Sequence, residues 1–258
     1  MFDAKKEKDR IIKFIRDYYQ KYNLKGAVIG ISGGKDSAVV AGLFVEALGK
    51  ENVIGLTLPC HSKDQDREDA KLVSDYFGFK LINIDLTETF DNISKQFVDL
   101  KETDDPEAFV NSDINLKPRL RMATLYYAAA YYSYVNNGTY LVAGTSNQSE
   151  IYIGYYTKGG DNVCDISVLG DLIVKEVIQV GEEIQVEEVK GVPPKILYKT
   201  PEDGLSGKTD EEKIGIPYHI IDAHLRGQEI DEEEKQKILR KHNANLHKLS
   251  IPTYKRCD

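Results

Sequence analysis

Cysteine is scarce in this 258-residue sequence: Cys60, Cys164 and Cys257 are three, far apart and odd in number. No CxxC pair occurs, which argues against a zinc ribbon or a thioredoxin-type site. Scattered thiols fit a reducing cytosol, so a cytoplasmic location is expected. The five histidines form no HExxH, and His242 and His247, five apart, make a poor metal pair. Positive charge is also short. A formal net charge of -8 disfavours broad nucleic-acid binding, because neutralising phosphates needs a basic surface. It leaves room for a small anionic ligand in a local basic pocket.

No apolar run reaches the roughly 20 residues that cross a bilayer. The nearest, MATLYYAAAYYSYV at 122–135, has 14 residues and five tyrosines. A helix apolar on nearly every side belongs in a core or against a partner, and a subunit interface is one expectation. The opening MFDAKKEKDRIIKF lacks the apolar centre of a signal peptide. Internal repeats and low-complexity tracts are missing too, so one domain over 1–258 is the economical reading.

What is present is alternation. Residues 4–22 have helical apolar spacing. Strands are expected at 26–31, 52–58, 79–86 and 139–145, with helices at 37–48, at 66–78 and over 88–100. A polar, acidic stretch from 101 to 119 reads as a mobile loop holding a short helix. Residues 154–170 read as irregular, 200–215 as a loop, and helices are expected near 171–181, 217–226 and 231–245. Strand–helix alternation implies a parallel sheet with right-handed crossovers.

The first strand runs into GISGGKDSAVVAGLF, 30–44. Glycines at a strand-to-helix turn accept positive φ, and the exposed N–H groups of such a turn form an anion nest at the positive end of the next helix. Gly30, Ile31, Ser32, Gly33, Gly34, Lys35 and Ser37 therefore read as a phosphate cradle. It is neither GxxxxGK[ST] nor GxGxxG. Asp36 inside the cradle would repel phosphate unless a cation such as Mg²⁺ stood between them. The plain alternative is a tight turn with Asp36 or Ser37 as helix N-cap. SGG-x-DS arises by chance in a chain of this length about once in several thousand at average composition, which favours the cradle.

SGGxDS after the first strand resembles the pyrophosphate loop of the N-type ATP pyrophosphatases, which cleave ATP between its α and β phosphates and adenylate a substrate. KPRLRM (117–122), GTSNQSEIYIGYYTKGGD (144–161) and LHK (246–248) resemble, in order, the NAD synthetase family. With no glutaminase domain in the sequence, the likeness is to the ammonia-dependent form. The resemblance implies an α/β, Rossmann-like (adenine nucleotide alpha hydrolase-like) parallel sheet of about five strands flanked by helices. It implies ATP-dependent amidation of deamido-NAD by ammonia through an adenylate, and a homodimer.

Residue by residue, the resemblance makes Asp36 and Glu150 the Mg²⁺ ligands. It places Thr145 and Gln65 at ATP, and Arg119, Lys158, Asp161, Asp165, His247 and Lys248 at deamido-NAD. Spacing to Met122 favours Arg119 over Arg121. Two positions depart from the family pattern. Val174 stands where many members carry an ATP-contacting lysine, with Lys175 one place later, about 100° round a helix. Glu202 stands where a small hydroxyl residue is common. Pyrophosphate neutralisation then falls to Lys35, Lys175 or Lys208. Two rival readings remain: another N-type ATP pyrophosphatase, or a noncatalytic nucleotide-binding sensor on the same fold.

Overall fold

The computed structural model of the chain describes residues 2–100, 102–103, 105–200 and 209–256. The first half runs α1 (Ala4–Lys21), β1 (Leu24–Gly30), α2 (Lys35–Leu48), β2 (Val53–Thr57), α3 (Asp64–Phe77), β3 (Lys80–Asn83) and α4 (Thr87–Asp99). Then follow α5 (Glu107–Val135), β4 (Thr139–Gly144), α6 (Gln148–Ile153), β5 (Ile166–Ser167) and α7 (Val174–Glu183). The chain continues with β6 (Gln185–Val186), β7 (Val189–Lys190), α8 (Pro194–Leu197), α9 (Asp210–Ile214), α10 (Tyr218–Leu225) and α11 (Glu232–Leu249).

Five strands form one parallel sheet in the order β3-β2-β1-β4-β5, with β1 at its centre. Ala27 pairs with Val53 on one side and with Leu141 on the other. The chain lays β2 and β3 to one side of β1, then crosses back to lay β4 and β5 on the other. That reversal opens a crevice beyond the carboxyl ends of β1 and β4, where open α/β sheets bind ligands.

Apolar residues fill both faces of the sheet. Ile15, Phe44, Val73, Phe77, Val177 and Ile184 build the layer of α1, α2, α3 and α7. Val28, Leu56, Phe90, Ala128, Ala129 and Val142 build the layer of α4 and α5. A third cluster, with Ile153, Val174, Ile214, Tyr218, Ile221 and Ile238, joins α6 and α7 to α9, α10 and α11.

The structure corrects three sequence expectations. The mobile loop at 101–119 and the tyrosine segment are largely one 29-residue helix, α5, running through Pro118. Proline removes one backbone donor and normally ends a helix, but packing of α5 along β1 and β4 overrides it. The same helix is not a plain core helix: only Ala128 and Ala129 are buried, while Tyr127, Tyr131 and Tyr134 are exposed. The irregular stretch at 154–170 contributes β5, a two-residue edge strand on Ala143 and Gly144.

Candidate active site

The turn after β1 is held by its own side chains. Gly33 has φ +81°, and a Cβ there would lie 2.6 Å from the Asp66 carbonyl oxygen, so both conformation and space require glycine. The Ser37 hydroxyl donates to the Gly34 carbonyl at 3.0 Å and accepts from the Ser32 N–H at 3.2 Å. The Gly34 N–H donates to the Ser32 hydroxyl at 3.2 Å. Gly34, not Asp36 or Ser37, is the N-cap of α2, and no side chain caps it. The opening turn of α2 thus keeps backbone donors for a ligand, as an anion nest should.

Asp36 extends from this turn towards the loop after β4. Its Oδ1 accepts from Asn147 Nδ2 at 3.1 Å, and its Oδ2 pairs with Lys35 Nζ at 3.0 Å. Asn147 is fully buried and also caps α6: its Oδ1 accepts from the Glu150 N–H at 3.1 Å, and the Glu150 carboxylate accepts from the Asn147 N–H at 3.2 Å. Glu150 lines a cleft, crowded by protein yet partly open to solvent. Burial first, and the Asp36 charge second, push its carboxyl up to about 8. Two carboxylates that resist ionising together are relieved by a cation. The donor set suits Mg²⁺, which takes one or two carboxylates and keeps waters and phosphate oxygens for the rest. Among the described residues no group of three or more His, Cys, Asp and Glu side chains is placed to hold a metal.

Sequence reasoning missed four neighbours of this pair. Asn147 was legible, because NQSE has the Asn-x-x-Glu form of a capping box. Asp210, the first residue of α9, accepts from the Tyr155 hydroxyl at 3.0 Å. Among the described residues the buried Tyr218 hydroxyl has no hydrogen-bond partner. Burial, and the charges of Glu150, Asp210 and Asp36, push Tyr218 ionisation far up. No local signal could place Asp210, Tyr155 or Tyr218 here, since only tertiary packing brings α9 and α10 to the cleft.

The residues expected at the second substrate gather on the loop after α6, on α5 and on the end of α11. Arg119 Nε donates to the Lys158 carbonyl at 3.2 Å, and Lys158 Nζ donates to the His247 carbonyl at 2.6 Å. Lys248 Nζ donates to the carbonyls of Gly154 and Tyr156 at 2.8 and 3.0 Å. Asp161 accepts from the Thr157 N–H at 2.8 Å, and crowding pushes its carboxyl up although one side meets solvent. Asp165 accepts from the Val142 N–H at 2.8 Å and from the Tyr126 hydroxyl at 3.1 Å. Burial, then the Asp165 charge, raises Tyr126 to about 12. Arg121 donates to the Leu58 carbonyl at 3.0 Å, and its charge also acts on Asp161.

The remaining expected residues are dispersed. Gln65 is exposed and donates to Asp69 at 2.9 Å. Thr145 follows β4 at the mouth of the crevice. Lys175 has an exposed side chain, and its N–H donates to Asp222 at 3.1 Å. Glu202 and Lys208 lie outside the described residues. His242 and His247 do not converge on a metal: His242 stacks on Tyr152 at 4.1 Å and donates from Nδ1 to the Tyr152 carbonyl. Cys164 packs against Gly144, where an added Cβ would meet its Sγ at 2.5 Å.

The family model described as NAD synthase matches residues 7–252. The NH(3)-dependent NAD(+) synthetase of Methanocaldococcus jannaschii is 42% identical over 221 residues, 84% of this chain and 79% of that protein. The solved NMN synthetase of Francisella tularensis superposes with a TM-score of 0.85 at 30% identity, covering 100% of both chains. The NH3-dependent NAD synthetase of Campylobacter jejuni gives 0.72 at 26% identity over 99% of this chain and 100% of that one. Neither rival sequence reading is favoured by these likenesses. A phosphate cradle joined to an acid pair at the sheet's reversal, with a family match along nearly all of its length, makes this chain a member of the NAD synthase family.

Proposed function

We propose that the chain amidates deamido-NAD with ammonia, cleaving ATP to AMP and pyrophosphate. The observation that carries this reading is the Asn147 bridge, which sets Asp36 of the cradle beside Glu150 of the next loop. A nicotinate carboxylate is a poor electrophile because its oxygen leaves badly. Its oxygen attacks the α-phosphorus, the bond to the β-phosphate oxygen breaks, and pyrophosphate departs. Ammonia then adds to the activated carbonyl carbon, the bond to AMP breaks, and the nitrogen loses a proton to give the amide.

Within the described residues no protein nucleophile is needed; the chain's contribution is positioning and charge. The Gly33 amide, the N–H groups of the first turn of α2 and the Ser32 hydroxyl receive phosphate oxygens, while Ser37 holds the turn. Asp36 and Glu150 would hold Mg²⁺, whose charge offsets that of the departing pyrophosphate. Thr145 and Gln65 are assigned to ATP on resemblance alone, and Lys175 and Glu202 stand beside or at the two positions where this chain departs from it. Arg119 and Lys158 supply the cations that a pyrophosphate-bearing acid requires. Asp161, Asp165, His247 and Lys248 complete that side. The chain acts as one cytoplasmic domain and pairs through the exposed tyrosine face of α5.

A second acceptor has one observation in its favour. The solved structure with a TM-score of 0.85 is named an NMN synthetase, and the acid corresponding to that amide is nicotinate mononucleotide. One assay decides both points: AMP and amide formation from Mg-ATP and ammonium chloride, with each acid supplied in turn. One AMP per NAD from deamido-NAD establishes the first reading. Turnover confined to the mononucleotide replaces the acceptor, and no AMP with either acid refutes adenylation.

A further inference from the structure

An α-helix leaves its last carbonyls without partners inside it. At the end of α6 these belong to Glu150, Ile151, Tyr152 and Ile153. The first two are taken by the chain just beyond: the Tyr155 N–H donates to the Glu150 carbonyl at 2.9 Å, and the Gly154 N–H to the Ile151 carbonyl at 3.2 Å. The other two are taken by α11. His242 Nδ1 donates to the Tyr152 carbonyl at 2.8 Å, and Asn245 Nδ2 to the Ile153 carbonyl at 3.1 Å. Lys248 continues the row onto the carbonyls of Gly154 and Tyr156.

His242, Asn245 and Lys248 follow one another at steps of three residues, so neighbours in the row share a face of α11. The contact is close as well as polar. Gly154 has φ +71°, and a Cβ there would lie 2.3 Å from Asn245 Cβ. Both donors are held in place. Asn245 Nδ2 also donates to the Lys241 carbonyl at 2.9 Å, which occupies both of its hydrogens. The His242 ring stacks on Tyr152, and because a carbonyl only accepts, Nδ1 carries the proton.

The segment gripped in this way leads into Lys158. The Lys158 carbonyl accepts from Arg119, and its Nζ donates to the His247 carbonyl at the end of the same helix α11. Two different devices therefore fix the two ends of α6. Asn147 holds its start, and with it Glu150. The row on α11 holds its end and the loop beyond.

We infer that His242 and Asn245 are positioning residues for the acid acceptor. They hold, by its carbonyls, the loop that presents Lys158 and Asp161, and they act through that loop rather than on the substrate. Loosening the row should disturb the acceptor and leave the nucleotide side of the cleft as it is. This inference deepens the proposed function and rests on its placing of the acid beside Lys158.

The test separates donor from packing. N245L fills similar space against Gly154 without a donor. H242F keeps a ring on Tyr152 and loses the donor; H242N keeps a donor and loses the ring. Deamido-NAD and nicotinate mononucleotide are each titrated calorimetrically into wild type and the three variants, with α,β-methylene-ATP and Mg²⁺ titrated in parallel. N245L and H242F are expected to weaken the bound acid roughly ten-fold, the range for one hydrogen bond. H242N should stay within about three-fold of wild type, and the analogue within about two-fold throughout. Amide hydrogen exchange over 154–158 should quicken in N245L and H242F. Unchanged acid affinity in both variants, or equal weakening of the analogue, overturns the assignment. So does an H242N that falls as far as H242F, since the ring and not its donor would then hold the loop. Should N245L fail to fold, the His242 pair makes the same comparison. A wild type that binds neither acid overturns both this assignment and the proposed function. One that binds an acid and responds as expected, yet forms no AMP, refutes the reaction alone.

Discussion

Asn147 Nδ2 donates to Asp36 Oδ1 at 3.1 Å across 111 residues of chain. The same amide caps α6 through its oxygen, so one buried side chain fixes two carboxylates from two strand ends. Removing it should loosen the pair without touching either ligand. Asn147→Ala is expected to lower kcat/KM for ATP roughly 10- to 100-fold, as loss of a ligand-orienting contact does. The helix cap adds a stability loss of about 1 kcal/mol. A magnesium titration of AMP formation checks this; a wild-type magnesium response in the variant means the bridge is dispensable.

The two glycines of the cradle should respond differently to a methyl group. Gly33→Ala forces positive φ on alanine and sets Cβ 2.6 Å from the Asp66 carbonyl. It is expected to cost about 1–3 kcal/mol of stability and to abolish nucleotide binding. Gly34 has φ -97°, and its added Cβ would meet only the Ser32 hydroxyl, at 3.3 Å. Gly34→Ala should fold with near wild-type Tm. Equal thermal shifts for both variants would count against the strained turn.

Glu150 gives the metal-free protein a pH signature. Its carboxyl rises from about 4.5 to about 8 on folding, so across that window the native state holds a proton that the unfolded chain has released. Stability in the presence of chelator should therefore fall as pH climbs from about 4.5 to about 8, then level off. Glu150→Gln should flatten that slope, read by denaturant unfolding at each pH. Mg-ATP favours the ionised form, so its binding near pH 7 should release protons, seen as a buffer-dependent calorimetric enthalpy. Proton uptake would contradict the assignment.

Tyr127, Tyr131 and Tyr134 are 76, 55 and 87% exposed on one helix. Exposed aromatics grouped in this way mark an association surface. Sedimentation of the wild type is expected to show a dimer. Tyr127→Asp with Tyr134→Asp should weaken it by about ten-fold or more, as loss of aromatic anchors does. Full activity in a wild-type monomer would remove the need for a second copy.

The sheet and the glycine turn after β1 were legible because their signals are local. A β-branched run ending in SGG fixes a strand and a turn within ten residues. Glu150 was named from resemblance, and its capping box with Asn147 was readable although overlooked. α5 was misread because Pro118 is a strong local breaker and its tertiary packing is invisible in one sequence. β5 was missed because two residues carry no period. Asp210 and Tyr218 reach the cleft only through the packing of α9 and α10 under Ile214, Ile216 and Ile221. That is a long-range property with no local mark.

The continuity of α5 has a mechanical meaning. Beyond Pro118 the helix carries Arg119 and Arg121 near one end and Tyr127, Tyr131 and Tyr134 along the rest. Arg119 and Tyr134 are fifteen residues apart, roughly 22 Å at the helical rise per residue. An α-helix resists stretching, so the two groups are marks on one stiff ruler. Any slide of the tyrosine face along the axis carries the arginines with it by the same distance, and the cleft inherits its alignment from whatever that face rests upon.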